Sequence, residues 1–228
     1  MVSVIIVAAG SSSRMNGVNK QLETIGGTPV FVMSALKFDR SEKVGEIIIA
    51  APADDAARYE KLAREHGVSK LAAVVAGGET RMRSVRNCLG AVSPRADYIA
   101  IHDGARPLIE TAEIERVLSD AEKYKAAIAA VPAVDTVKEV GDGAIESTPP
   151  RGRLYYAQTP QVFLKELYLS CLEKAGSAAD KVTDDASLLE MCGEYVRITE
   201  INGCNMKITR PDDLIMAEAL CRSKVCIK

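Results

Sequence analysis

Residues 2–15 read VSVIIVAAGSSSRM, and this stretch decides the fold. The apolar run at residues 2–7 is typical of a buried strand, and the small residues at 8–13 are typical of the turn that leaves it. Small side chains let backbone amides approach a polyanion, and the positive charges of Arg14 and Lys20 follow closely. The stretch therefore predicts a strand followed by a loop for a nucleotide triphosphate. The loop has neither the Walker spacing nor the dinucleotide glycine spacing, which disfavours both of those classes.

Short β-rich runs alternate with helical patterns beyond this loop. Further strands are predicted at residues 46–50, 72–76, 98–101 and 127–131, and helices at 29–40, 53–66, 80–89 and 111–124. This alternation favours right-handed βαβ crossovers and a largely parallel sheet, so the chain is assigned to the α/β class. Ligands bind such sheets outside the carboxyl ends of the strands, and the residues that follow each strand are therefore candidates.

The pattern changes after residue 131. Residues 136–140 and 144–147 flank Gly141, Asp142 and Gly143, and they read as a polar hairpin. A two-stranded ribbon is marginally stable alone, so a homodimer through this arm is expected. Helices at 162–175 and 183–192, a strand at 195–200, an extended segment at 205–209 and a helix from Pro211 complete the chain. We predict one domain over residues 1–228, with a β-arm at about residues 133–157.

Composition removes several classes of function. The 228 residues are 47% hydrophobic with a net charge of −2, and no basic stripe suggests a nucleic-acid partner. Six cysteines occur without a CxxC pair, which favours reduced thiols over zinc or disulfides. No apolar run is long enough to cross a bilayer, so a soluble cytoplasmic protein without a membrane partner is expected.

Two further strand ends carry residues suited to a nucleotide site. Gly77 and Gly78 lead into Glu79 and a helix bearing Arg81 and Ser84, and such residues could admit a base or ribose close to the backbone. A simple helix N-cap by Thr80 explains the same residues. Asp103 ends the next strand, where one carboxylate could hold Mg²⁺ against substrate phosphates or merely cap a turn.

Catalysis by a histidine base is disfavoured. The two histidines are His66, near a helix end, and His102, where packing inside a strand end is the simpler explanation. Arg151 and Lys207 add positive charge further along, although each alone is more often a solvated charge. The set of cations together favours a site for an anionic ligand.

Six stretches in order resemble one family: AAGSSSRM at 8–15, Lys20 with Gln21, HDGARP at 102–107, AQTPQ at 157–161, TDDAS at 183–187 and NMKITRPDDL at 205–214. The chain resembles the bacterial 2-C-methyl-D-erythritol 4-phosphate cytidylyltransferases from end to end. The resemblance implies a Rossmann-like, mostly parallel sheet of the nucleotide-diphospho-sugar transferase type with a protruding β-arm. It also implies transfer of a cytidylyl group from CTP to the sugar-alcohol phosphate, with release of pyrophosphate. Mg²⁺ would be the cofactor, other divalent cations remaining open, and the pathway would be the non-mevalonate route to isoprenoid precursors.

The resemblance also implies roles for particular residues. Catalysis would fall to Arg14, Lys20, Lys207 and Asp103, with the metal at Asp103; nucleotide binding to Ala8, Ala9, Gly10, Gly78, Glu79, Ser84 and Gly104; and acceptor binding to Arg106, Thr136, Arg151, Thr159 and Thr183. In the family, the arm with the equivalents of Thr136 and Arg151 reaches across a dimer.

The chain departs from the family pattern at two positions. Asn19 stands where a proline usually precedes the first lysine, and Gly104 stands where alanine is common, which should ease close backbone approach.

Three other functions compete with this interpretation. A ribitol 5-phosphate cytidylyltransferase would keep the reaction and change the acceptor. A nicotinamide-dependent oxidoreductase lacks support, since the second strand ends without an acidic residue. A non-catalytic nucleotide sensor would have little use for cations aimed at a transferring phosphoryl group.

Overall fold

A seven-stranded sheet with helices on both faces organises the chain. The computed structural model describes residues 1–10, 19–201 and 204–223. The strands are β1 Val2–Val7, β2 Thr24–Ile25, β3 Thr28–Pro29, β4 Val44–Ala51, β5 Leu71–Ala76, β6 Tyr98–Asp103, β7 Ala126–Pro132, β8 Glu139–Gly141, β9 Ala144–Ser147, β10 Tyr155–Leu164 and β11 Arg197–Glu200. The helices are α1 Val30–Asp39, α2 Ala56–Glu65, α3 Arg81–Leu89, α4 Thr111–Tyr124, α5 Lys165–Ala175, α6 Asp185–Met191 and α7 Pro211–Ser223.

The large sheet has the strand order β11-β7-β10-β6-β1-β4-β5. All neighbours pair in parallel except β10, which runs antiparallel to both β6 and β7. This arrangement confirms the predicted α/β class and its mostly parallel sheet. No helix in the described ranges is long and apolar enough to span a membrane.

The strands at the centre of the sheet are apolar on both faces because helices cover both sides. Val4 and Ile6 of β1 belong to one core layer, together with Phe31 and Phe38 of α1. Ile5 points to the opposite layer, which contains Tyr168 of α5. Alternate residues of one strand thus serve two cores, and this explains the unbroken apolar run at the start of the sequence.

One predicted helix begins too early. The sequence predicts a helix over 162–175, whereas residues up to Leu164 belong to β10 and the helix begins at Lys165. Val162 and Phe163 are fully buried between the neighbouring strands, so burial on both faces gives them no alternating pattern. Short apolar runs of this kind are ambiguous between strand and helix.

The hairpin predicted around 141–143 is present as β8 and β9, which pair antiparallel. Asp142 and Gly143 in the connecting turn both have positive φ values, 48° and 80°. Glycine and aspartate tolerate this left-handed conformation, so the turn chemistry explains the hairpin. The predicted strand at 195–200 is shorter in the structure, where it begins at Arg197.

Candidate active site

The register of the sheet brings the predicted strand ends together. Val7 pairs with Ala50 of β4 on one side and with Asp103 of β6 on the other. The loops that follow β1, β5 and β6 therefore leave the same edge of the sheet. β10 arrives there from the opposite direction, and the hydroxyl of its Thr159 accepts a hydrogen bond from the backbone N–H of Asp103 at 3.1 Å.

The larger of two adjoining cavities at this edge has a volume of about 450 Å³. It is lined by Val7, Ala9, Gly10, Lys20, Gln21, Gly78, Glu79, Thr80, Arg81, Ser84, Asp103, Ala105 and Lys207. The structure thus gathers most of the predicted nucleotide residues around one space. Ala8 and Gly104 do not line it: Ala8 is fully buried, and its backbone N–H donates to Ala50. Their nucleotide-binding role stays a prediction. Arg14 lies outside the described residues.

The loop after β5 is shaped by one hydroxyl and one glycine. The Ser84 hydroxyl accepts a hydrogen bond from the Gly78 N–H at 3.0 Å and lies 3.0 Å from the Thr80 carbonyl oxygen. Thr80 is the N-cap of α3, because its side chain accepts from the Arg83 N–H. A Cβ on Gly77 would lie 2.2 Å from the Cβ of Ala9, so this position has no room for a side chain. The N-cap explanation is therefore confirmed, and the same loop forms a wall of the cavity.

The smaller cavity, of about 290 Å³, adjoins the larger one. Its lining residues are Arg81, Asp103, Arg106, Ala157, Gln158, Thr159, Gln161, Thr183, Asp184 and Lys207. The predicted acceptor residues Arg106, Thr159 and Thr183 are among them. Among the residues that the structure describes, three side chains line both cavities, namely Arg81, Asp103 and Lys207.

Asp103 forms the centre of these shared residues. Its Oδ2 lies 2.8 Å from Lys207 Nζ and 3.3 Å from Arg106 Nε, and its Oδ1 lies 3.3 Å from Arg81 Nε. Burial would raise the pKa of Asp103, but the charges of Arg81, Lys207 and Arg106 outweigh it and hold that pKa far below its usual range. Asp103 is therefore an ionised carboxylate surrounded by three cations.

His102, the residue before Asp103, is a structural residue as predicted. It is fully buried and its ring packs on Phe38. Its Nδ1 lies 3.0 Å from the Thr159 hydroxyl, and its Nε2 lies 3.2 Å from the Arg106 carbonyl oxygen. Burial lowers the pKa of His102 to about 4, so the ring is neutral near pH 7, and both of its nitrogens are occupied by Thr159 and Arg106.

Two residues that hold the site together, Asn205 and Gln161, carry no obvious signal in the sequence. Asn205 is fully buried; its side-chain amide donates to the Thr159 carbonyl at 2.8 Å, and its backbone carbonyl accepts from the Arg106 guanidinium at 2.9 Å. Gln161 donates to Asp184 at 2.8 Å and accepts from the Ala186 N–H at 3.0 Å. Asn205 and Gln161 lie within the stretches AQTPQ and NMKITRPDDL, but only the fold shows what they contact.

Two predicted acceptor residues lie away from both cavities. Thr136 and Arg151 are exposed on the arm, where Arg151 donates to the Val134 carbonyl at 2.9 Å. One chain therefore does not bring them to the site. The described cysteines, five in number, are free thiols, and Cys226 lies outside the described ranges.

A mostly parallel sheet with a glycine-lined cavity and a cation cluster at its strand ends suits an enzyme of the nucleotidyltransferase class, which must bind a nucleotide and neutralise phosphate charge. Comparison with known proteins gives the family. The profile of the family 2-C-methyl-D-erythritol 4-phosphate cytidylyltransferase matches residues 2–223. A protein of that name from Geobacter metallireducens is 40% identical and covers 98% of this chain and 99% of its own. Another from Geobacillus kaustophilus is 38% identical, covering 97% of each.

A solved structure agrees with the sequence comparisons. The crystal structure of 4-diphosphocytidyl-2C-methyl-D-erythritol synthase from Anaerococcus prevotii matches with a TM-score of 0.87 at 31% identity, covering 97% of this chain and 96% of the other. The chain belongs to the 2-C-methyl-D-erythritol 4-phosphate cytidylyltransferase family. Its activity is cytidylyl transfer in isoprenoid biosynthesis, and the ribitol 5-phosphate alternative is not favoured.

Proposed function

We propose that this protein transfers the cytidylyl group of CTP to 2-C-methyl-D-erythritol 4-phosphate where its two cavities meet. The observation that carries this proposal is the set of side chains common to both cavities, Arg81, Asp103 and Lys207. CTP would occupy the larger cavity, and the acceptor phosphate would occupy the smaller one beside Arg106. The α-phosphorus of CTP would then lie at their junction, facing the incoming phosphate oxygen.

The reaction needs positioning and charge neutralisation more than a base. A sugar phosphate is already anionic, so its oxygen attacks the α-phosphorus directly, and the bond from that phosphorus to the β-phosphate bridging oxygen breaks. Pyrophosphate leaves with the electron pair. Lys20 and Lys207 line the larger cavity and would neutralise the charge that develops on the phosphoryl oxygens and on pyrophosphate. We assign Arg14 the same task.

Asp103 suits the mode of Mg²⁺ binding that uses one carboxylate plus substrate phosphates and water. Its carboxylate is ionised and borders both cavities, although Arg81, Arg106 and Lys207 occupy its oxygens. No group of three or more histidine, cysteine or acidic side chains in the described part of the chain could hold a metal alone. The residues thus fit a metal that arrives with the nucleotide. When bound, Mg²⁺ would supply positive charge to the triphosphate.

We propose further that the protein works as a homodimer joined through the arm. The support is the apolar surface of the arm, where Val134 is 77%, Val140 60% and Ile145 64% exposed. A partner would bury this surface. It would also receive Thr136 and Arg151 near its acceptor cavity, which these two residues do not reach in their own chain. A cytoplasmic location stays a prediction from the sequence.

A pyrophosphate-release assay with CTP, Mg²⁺ and 2-C-methyl-D-erythritol 4-phosphate tests the proposed reaction. Parallel assays replace CTP by ATP, GTP or UTP, replace the acceptor by ribitol 5-phosphate, or omit the metal. We expect turnover only with CTP, the methylerythritol phosphate and a divalent cation. Equal rates with ribitol 5-phosphate would overturn the acceptor assignment, and undiminished rates in EDTA would overturn the metal requirement.

A further inference from the structure

Arg81 joins two carboxylates that lie in distant parts of the sequence. Its Nη1 pairs with Oδ2 of Asp185, while its Nε lies 3.3 Å from Oδ1 of Asp103. Asp103 borders both cavities, whereas Asp185 is fully buried and lines neither of them. One guanidinium group therefore connects the reaction centre to a buried anchor behind it.

The anchor is itself held firmly. Asp185 is the first residue of α6, and its Oδ1 accepts a hydrogen bond from the Tyr168 hydroxyl at 2.8 Å. Tyr168 is also fully buried. A buried carboxylate that loses its cation is left as an uncompensated charge, which is strongly destabilising. Arg81 is thus tied to Asp185, and burial lowers the pKa of Arg81 less than Asp185 and Asp103 raise it.

The fixed position of Arg81 determines how Asp103 is turned. The planar guanidinium presents donors in a rigid fork, so pairing with Asp185 sets the direction of Nε. Arg81 pairs with Oδ1 of Asp103. The other oxygen, Oδ2, is then free to face Arg106 and Lys207, whose Nζ lies 2.8 Å away. A carboxylate rotated away from this orientation would present a different oxygen to Lys207.

We propose that Arg81 is a positioning residue which, anchored by Asp185 and Tyr168, orients Asp103 and thereby Lys207 for the transfer. This inference deepens the proposed function and rests on it. A displacement of the reacting groups by about 1 Å costs about a hundredfold in rate, so loss of the anchor should lower kcat. It should change the KM for CTP far less than kcat, because Asp185 and Tyr168 touch neither cavity and most residues that line the larger cavity lie outside the Arg81, Asp103 and Lys207 cluster.

The first test compares three variants at saturating substrates. We expect kcat to fall at least tenfold in Asp185→Asn and about threefold in Tyr168→Phe, with KM for CTP within twofold of wild type. Leu189→Ala is the matched control, because Leu189 lies in the buried face of the same helix. It should lower Tm and leave kcat within twofold. If Asp185→Asn and Tyr168→Phe also change Tm alone, their role is structural and the inference is wrong.

The second test separates charge from geometry. Arg81→Lys keeps one positive charge but lacks the fork that reaches two carboxylates, so we expect a loss in kcat close to that of Arg81→Gln. Rescue by lysine to within twofold of wild type would overturn the positioning role.

A crystal structure of Tyr168→Phe or Asp185→Asn tests the inference without any turnover. We expect the distance between Arg81 Nε and Asp103 Oδ1 to exceed 4 Å in Asp185→Asn, against 3.3 Å in the native chain. An unchanged distance would overturn the inference even if the enzyme is active. If the native chain fails to turn over CTP with the methylerythritol phosphate, the proposed function fails and this distance still decides the positioning claim.

Discussion

The Asp103 cluster finds its ionic partners within one chain, whereas apolar side chains of the arm remain exposed in that chain. Asp103 is 7% exposed and is paired with three cations, of which Arg81 is also held by Asp185 and Arg106 by Asn205. The arm hairpin instead exposes Val140 at 60% and Ile145 at 64%. The contrast indicates that the Asp103 cluster is completed within one chain, whereas the arm leaves an apolar surface that the proposed dimer would bury.

The largest effect is expected at the centre. Lys207→Ala removes a charge that borders both cavities, and kcat should fall by about 10²–10³, or about 3–4 kcal/mol. Pyrophosphate release at saturating CTP measures it. Lys61→Ala is the control, because Lys61 lies on the solvent face of α2 with its side chain 73% exposed. A Lys207→Ala rate within threefold of wild type would refute the role assigned to Lys207.

A substitution on the arm should weaken the proposed dimer. Ile145→Asp places a charge on the surface that the partner would bury, and it should weaken dimerisation by about 2–3 kcal/mol, roughly a hundredfold. Sedimentation at graded protein concentrations measures this, with Asp135→Asn as an exposed control on the arm. Activity of Ile145→Asp should recover as protein concentration rises. Wild-type sedimentation as a monomer at all concentrations would contradict the dimer.

Low pH should lower the stability of the fold through protonation of His102. Its pKa is about 4 in the fold and about 6.5 in the unfolded chain, so the unfolded state binds the proton first. The stabilisation from keeping His102 neutral is present above pH 6.5 and is lost as the pH falls toward 4. Between pH 8 and pH 5 the loss is about 2 kcal/mol.

Urea unfolding at several pH values tests the assignment to His102. We expect the pH dependence between pH 6.5 and 5 to be shallower in His102→Gln than in wild type. The arm at 133–157 contains no histidine, so hydrogen exchange there should not follow the same curve. Identical slopes in wild type and His102→Gln would show that another group titrates.

The smallest effect compares two glycines. Gly77→Ala puts a methyl group 2.2 Å from the Ala9 Cβ, and the two loops must separate. We expect the KM for CTP to rise about tenfold, or about 1.4 kcal/mol, a typical cost of overpacking. A Cβ on Gly152, within the arm, would meet nothing within 4 Å, so Gly152→Ala should leave that KM unchanged. Equal KM values for the two variants would show that the close contact between Gly77 and Ala9 does not shape the nucleotide cavity.

Sequence reasoning reaches local features and misses pairings over long separations. The apolar run of β1 and the Thr80 cap are visible because each depends on neighbouring residues. Residues 159–163 of β10 are hard to assign as a strand, since their burial on both faces removes the alternating pattern. The contact of Arg81 with Asp185 joins residues 104 positions apart, and no spacing rule reports it. The roles of the loop residues around Arg14 rest on the resemblance alone.

The insertion of β10 between β6 and β7 also constrains how the polypeptide acquires its shape during synthesis. β6 and β7 are both synthesised before residues 155–164, yet neither can complete its hydrogen bonding without them. The β6-β1-β4-β5 half of the sheet can assemble early, while the edge of β6 that pairs with β10 remains without hydrogen-bond partners. Such an unpaired edge invites pairing with other nascent chains, so the interval before β10 is translated is the stage at which a chaperone would matter most.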